Sequence, residues 1–222
     1  MEVFSPFRIA AAICRLGMTT AGSFDLLSDC DLLSTAGRQE VLKTLMSKRP
    51  LMLMCSPPCT MYSELMRLWN AKKMNPQVKA LREKDAYLMV CFSMELCRLQ
   101  DDAGRFYCYE HPYKAASWKL DIAQQMAMRS STQFLDWDQC RVGLCAPGST
   151  PDEHPIRKRT KFMTNSHHIQ SIFQGLQCEC QVEHFHVQGS YNGVSVSKHC
   201  QIYPPDFCMK VAEATKLHVE EL

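Results

Sequence analysis

The sequence predicts an α/β domain built on a mostly parallel sheet flanked by helices. Three observations lead there. Short apolar runs alternate with amphipathic stretches of helical spacing, the pattern of successive βαβ units. The run Leu51–Cys55 is apolar throughout, as expected of a strand covered on both faces. Two compact polar motifs, Ser56-Pro-Pro-Cys59 and Glu110-His-Pro112, directly follow such runs, and in open α/β sheets the carboxyl ends of strands are where ligands bind.

Taken in order, Met1–Ser5 is expected to be a first strand. Arg8–Leu16 has helical spacing through Ile9, Ala12, Ile13 and Leu16, with Gly17 placed as a C-cap. Ser23–Leu27 reads as a second strand and Thr35–Lys48 as an amphipathic helix that Pro50 halts. Asp85–Leu99 is the longest expected helix, followed by a buried strand at Phe106–Tyr109 that ends at Glu110-His-Pro. A helix over Ile122–Arg129, strands at Gln133–Asp136 and Lys161–Thr164, a short helix over His168–Gln174 and a final helix over Phe207–Leu217 complete the chain. The loop Cys145–Pro155, rich in Pro, Gly, Ser and Thr, is the expected mobile segment.

A length of 222 residues suits one domain with a full core, and a net charge of +2 requires any nucleic-acid surface to come from local clusters of basic residues. Arg157-Lys-Arg159 with Lys161 is one such cluster, and Lys72-Lys73 with Lys79, Arg82 and Lys84 is another. The thirteen cysteines are scattered, odd in number and mostly set in apolar runs, which fits reduced thiols. Met1-Glu-Val-Phe4 lacks the basic-then-apolar order of a signal peptide, and no apolar run is long enough to span a membrane. The expectation is an intracellular protein, nuclear or cytoplasmic, with no membrane partner.

Two motifs carry chemistry. Pro57 and Pro58 each fix φ and remove a backbone donor, so the turn can present Cys59 beyond the strand end, as a nucleophile or as an inert turn thiol. Glu110 at the end of an apolar strand can act as an acid or as a partner for a bound heterocycle. It can equally be an ordinary surface charge.

Taken together, these segments resemble the DNA cytosine-5 methyltransferases. Pro57-Pro-Cys59-Thr-Met-Tyr62-Ser63 is similar to the family's Pro-Pro-Cys motif, and Glu110-His-Pro112 stands where the family has Glu-Asn-Val. Cys140-Arg-Val-Gly143 followed by Arg157-Lys-Arg159 is similar to the later turn and Arg-x-Arg strand, and Ile202-Tyr-Pro-Pro-Asp-Phe207 resembles the segment leading into the family's last helix. Val3-Phe4-Ser5 and Asp25 resemble the first strand and the acidic residue that binds the cofactor ribose. The whole pattern, with Trp118, also resembles methyltransferase-like reading frames associated with retroelements in protists.

The resemblance implies a Rossmann-like, class I methyltransferase-like fold over residues 1–222. It also implies S-adenosylmethionine-dependent methyl transfer to carbon 5 of cytosine, in DNA in preference to RNA. Cys59 would be the nucleophile, Glu110 would hold ring nitrogen 3, and Arg157 or Arg159 would position the base. Phe4, Ser5, Asp25, Asp31 and Pro57 would form the cofactor site. The alternative is a catalytically inactive relative that binds nucleic acid or protein within a mobile-element product. The chain departs from the family at Phe4-Ser-Pro-Phe-Arg8, which contains no glycine, and in the short stretch at 164–203 where the family inserts a target-recognition region. That stretch carries Cys178-x-Cys180 and His184-x-His186, four residues of the kind that bind zinc. Cys140 and Cys200 are further thiols able to join them.

Overall fold

A computed structural model describes residues 1–64 and 66–222, with the side chains of residues 69–71 excepted. Six strands form one sheet: β1 (Glu2–Val3), β2 (Ser23–Phe24), β3 (Met52–Cys55), β4 (Phe106–Pro112), β5 (Gln133–Asp138) and β6 (Arg159–Thr164). Their spatial order is β2-β1-β3-β4-β6-β5. The first four pair in parallel, whereas β6 runs antiparallel to both of its neighbours. The expected α/β class and mostly parallel sheet are therefore observed.

Side chains of the central strands alternate between two faces, as the pleat requires. Leu53 and Cys55 of β3, and Tyr107 and Tyr109 of β4, join Val41 and Leu45 of α2 (Thr35–Lys48), Val90 and Leu96 of α3 (Pro76–Asp102) and Met126 of α4 (Asp121–Ala127). Met52, Met54 and Cys108 face the other way. There they meet Ile9 and Ile13 of α1 (Ile9–Arg15), Phe173 of α5 (His167–Phe173) and the apolar stripe of the final helix (Pro205–Glu220). At the centre of this second layer Phe207 stacks on Trp137, with ring centroids 5.3 Å apart, and Phe162 and Phe173 close the cluster around Trp137. A smaller cluster of Leu144, Ile156, Val196 and Cys200 supports residues 143–202. This region includes the hairpin β7 (Ser190–Tyr191) and β8 (Val194–Ser195), α6 (Val196–His199), and an Asn192-Gly193 turn with both φ positive, as a tight hairpin turn requires. The final helix is numbered α7.

Several boundaries differ from expectation for identifiable reasons. The first strand stops at Val3, because Phe4 adopts φ 64° and turns the chain. The second stops at Phe24, because the Asp25 carboxylate accepts the Leu27 N–H and starts a 3-10 turn, leaving Leu26 and Leu27 exposed. Helix α3 begins nine residues earlier than expected, at Pro76 rather than Asp85. Asn75 caps Gln77 and Val78, and Pro76 holds the first helical position. Strand β4 continues to Pro112, so Glu110 lies inside the sheet opposite Phe162 rather than at its rim. The loop expected to be mobile is closed by a Cys145–Pro155 bridge and by backbone bonds from Ala146 to His154 and from Ile156 to Leu144. No helix among the described residues is long and apolar enough to cross a membrane.

Phe207 carries much of the second layer, so Phe207→Ala is expected to lower unfolding stability by about 3–5 kcal/mol. Denaturant titration checks this, and a loss below about 1 kcal/mol would contradict the packing role assigned to the ring.

Candidate functional site

The site forms where β3 and β4 end side by side. Cys55 pairs in register with Tyr109, so the chain leaving β3 passes over Glu110, His111 and Pro112. Pro57 is buried and Pro58 exposed. Cys59 then opens the 3-10 turn Thr60–Tyr62, with the Tyr62 N–H on its carbonyl at 3.0 Å.

His111 fixes this loop. Its ring is wholly buried, with Nε2 3.0 Å from the Pro57 carbonyl and Nδ1 2.5 Å from Ser117 Oγ. A carbonyl can only accept, so Nε2 carries the proton and Nδ1 accepts from the serine hydroxyl. Burial and, to a smaller extent, the charge of Lys158 lower the His111 pKa to about 4, against the opposing effect of the Pro57 bond. The ring is neutral at physiological pH.

Glu110 is 5 % exposed. Its Oε2 accepts the Tyr203 hydroxyl at 2.9 Å, while Oε1 is buried without a hydrogen-bond partner among the described residues. Cys59 is close enough to feel the charge of both Glu110 and Lys158. Burial pushes its thiol above the ordinary range, Lys158 opposes that rise, and Glu110 adds to it. Lys158 is half-buried and donates to the Cys200 carbonyl at 3.0 Å.

Cys59, Lys158 and Arg159 line a cleft of about 940 Å³ together with Pro112, Tyr113 and Lys114. Arg159 is held by Asp136 and stacks over Tyr113, 4.4 Å from the ring centroid. A second hollow, sharing Met66 with the first, is lined by Tyr62, Arg67, Lys72, Lys79 and Tyr87. Cations interleaved with aromatic rings suit a phosphate chain and its bases.

The expected site residues are thus brought together in part. Cys59 and Arg159 line the cleft, while Glu110 is buried outside its lining, near enough for its charge to act on Cys59. Arg157 lies outside the cleft lining, with Nε 3.2 Å from Asp138 Oδ1 in an off-axis ion pair. Lys158, between the two arginines, joins Arg159 in the cleft lining, a role that membership of a basic cluster alone does not reveal. In the sequence Tyr203 is visible only as part of the segment Ile202–Phe207. Its bond to Glu110 depends on a fold-back of 93 residues, which local sequence does not reveal.

The carboxyl edge of β2, β1 and β3 gathers the residues expected to hold S-adenosylmethionine. Pairing of Val3 with Phe24 and Cys55 sets Phe4, Asp25 and Ser56 side by side one residue further on. Phe4 supplies the left-handed backbone that glycine usually provides, at a cost of about 1–3 kcal/mol. Asp25 and Asp31 each accept one backbone N–H, from Leu27 and Leu33, both at 2.9 Å. A carboxylate keeps further acceptor sites after one such bond, so each can still receive a hydroxyl or amine donor. Ser5 and Pro57 are buried beneath this edge. At the amino-acid end, buried Glu2 accepts the N–H groups of Arg8, Ile9 and Ala10 at 3.1–3.4 Å, together with the Ser23 hydroxyl. The start of α1 is thereby satisfied from within, so a ligand carboxylate has to be received elsewhere.

A second cluster gathers at the 3-10 turn after β5. Cys140, Cys178, Cys180 and His184 place their ligand atoms within 4.8 Å of one another. His186 does not join them, which corrects the expected set of Cys178, Cys180, His184 and His186. Residues 176–186 form no strand, so alternate residues share no face. Cys140 takes the fourth place because the 3-10 turn after β5 delivers it there, while Asp138 Oδ2 holds the Cys178 N–H at 2.9 Å. Cys178 Sγ lies 3.2 Å from His184 Nε2. For Cys178, burial raises the pKa, but hydrogen bonds from Cys180 and Cys140 and the charge of Arg157 bring it below the ordinary value. Three thiols and an imidazole in this compass fit tetrahedral zinc. All thirteen cysteines are free thiols.

His111 generates a pH prediction. Its folded pKa near 4 lies below the ordinary histidine value of 6.5, so the unfolded chain binds the proton first as pH falls. Its contribution is complete above about pH 6.5 and is lost as pH drops toward 4, by about 3 kcal/mol in all. His111→Gln should flatten that part of the stability–pH curve in urea titrations, and an unchanged slope would contradict the buried neutral ring. Neither a protein-family model nor a curated protein matches the chain.

Proposed function

We propose that this protein is a cytosine-5-methyltransferase-like domain that receives a flipped-out cytosine of nucleic acid, DNA in preference to RNA, beside Cys59. The observation that carries the reading is the convergence of Cys59, Glu110 and Lys158 from β3, β4 and the approach to β6. An extruded base is needed because the reacting ring atoms are inaccessible within the stack.

The Cys59 thiolate adds to ring carbon 6, forming a C–S bond and sending the double-bond electrons toward carbon 5. Glu110 in its acid form gives a proton to nitrogen 3, and the Tyr203 hydroxyl on Oε2 leaves Oε1 for that contact. Lys158 favours the thiolate electrostatically. S-adenosylmethionine at the neighbouring sheet edge would supply the methyl group as a sulfonium and leave as a thioether. Solvent water then takes the carbon 5 proton, the C–S bond breaks to release the Cys59 thiolate as the ring double bond re-forms, and the nitrogen 3 proton returns to the Glu110 carboxylate. Arg159, stacked on Tyr113, and the lysines around the second hollow would neutralise phosphates. Zinc held by Cys140, Cys178, Cys180 and His184 would brace the segment behind Lys158, as structural zinc does elsewhere.

A second reading is favoured by one feature, the glycine-free turn at Phe4–Arg8 with Glu2 in the start of α1. On that reading the domain binds nucleic acid or a protein without methylating. Calorimetry with S-adenosylmethionine separates the two, since a binding isotherm supports the enzyme and its absence supports the inert binder.

Methyl transfer from labelled S-adenosylmethionine to cytosine-containing DNA is expected to vanish in Cys59→Ser. In Glu110→Gln it is expected to fall by roughly 10²–10⁴-fold. Full activity in Cys59→Ser, with the fold retained by circular dichroism, would end the assignment.

A further inference from the structure

The cleft and the thiol cluster leave one group of ligand-type side chains unused, at the opposite edge of the sheet. His167 and His168 open α5, His218 sits in the last turn of α7, and Glu221 caps that helix. Their ring nitrogens and a carboxylate oxygen all lie within 4.8 Å of one another. The site lies just beyond Thr164, which pairs with Cys108 near the start of β4. Cys59 belongs to the other end of the strands.

His218 is 1 % exposed, and Phe106 stacks on its ring at 3.5 Å. Its Nε2 is 2.6 Å from Ser166 Oγ. Nδ1 is buried and has no hydrogen-bond partner among the described residues, with Glu221 Oε2 3.7 Å away. His168 Nε2 is also buried, 2.8 Å from Glu221 Oε1 but in off-axis geometry that forms no hydrogen bond. His167 Nε2 reaches the same carboxylate oxygen at 3.3 Å. Three imidazoles with centroids 4.1–4.9 Å apart therefore converge on one carboxylate. Protonating all three would crowd positive charges together, while leaving them neutral strands a buried nitrogen.

We propose that His167, His168, His218 and Glu221 bind a divalent transition-metal ion of the zinc class. Imidazole and carboxylate are ligands for such ions. Ser166 meets the need of a metal-binding histidine for a hydrogen bond on its other ring nitrogen. The carbonyl end of α7 adds negative potential beneath the cation. The ion joins α5 to the end of α7, so occupancy stabilises that pair of helices. This assignment is independent of the methyltransferase reading.

The test is a metal count on the reduced, chelator-stripped full chain. Titration with Zn²⁺ should give two equivalents in the wild type. His167→Gln/His168→Gln, which spares buried His218, should bind one, and Cys178→Ser/Cys180→Ser should bind the other. Co²⁺ should show thiolate charge-transfer absorption for one equivalent only, the second giving weak ligand-field bands that the histidine variant loses. That cobalt titration on the wild type decides the question if a variant fails to fold. Excess Zn²⁺ should also raise the melting temperature more in the cysteine variant than in a variant lacking both sites. A single equivalent in the wild type that the histidine variant retains would overturn the proposal, leaving a hydrogen-bonded histidine cluster without metal.

Discussion

The bond from His111 to the Pro57 carbonyl is the contact on which the cleft depends. It spans 54 residues of sequence and ties the loop leaving β3 to the interior of β4. A proline carbonyl can only accept, so the ring has one tautomer, and Ser117 completes it from the opposite side. With both nitrogens engaged and the ring dry, the loop has little freedom to carry Cys59 away from Glu110. Elsewhere the resembling family has asparagine in the place of this histidine. Here the side chain beside the acid is spent on the architecture of the loop.

The two layers of helix around the sheet serve the same end. Alternation along β3 and β4 sends Leu53, Cys55, Tyr107 and Tyr109 toward α2, α3 and α4, and Met52, Met54 and Cys108 toward α1, α5 and α7. Tyr203, stacked on Phe207 at the start of α7, is thereby held against Glu110. Packing of the second layer and orientation of the acid are one structural fact. At the other end of α7, His218 is held by Ser166, so the helix is anchored near both ends.

Much of this was legible in the sequence because it rests on local pattern. The fully apolar Leu51–Cys55 run, the helical spacing of residues 35–48 and the Pro-Pro turn need no distant partner to be read. What was not legible depends on meeting across the fold. Glu110 reads as a strand end, yet β6 extends the ladder past it by pairing antiparallel with β4. Arg157 and Arg159 read as equivalent phosphate binders, but Arg157 is engaged by Asp138 outside the cleft, while Arg159, held by Asp136, lines the cleft together with Lys158. The pairing of Cys140 with Cys178, Cys180 and His184 follows from a loop path that alternation along a strand cannot supply. Glu2 shows the limit most clearly. Nothing local to the expected strand Met1–Ser5 reveals that the Glu2 carboxylate accepts the first N–H groups of α1.

The central claim is that Cys59 forms a covalent bond to a cytosine held by Glu110. It is tested most directly with DNA carrying 5-fluorocytosine, incubated with the protein and S-adenosylmethionine. Fluorine at carbon 5 cannot leave as a proton, so the adduct cannot resolve. The account predicts a protein–DNA species that survives denaturation, with mass spectrometry placing the modification on Cys59. No adduct, or one on another of the thirteen thiols, would contradict it.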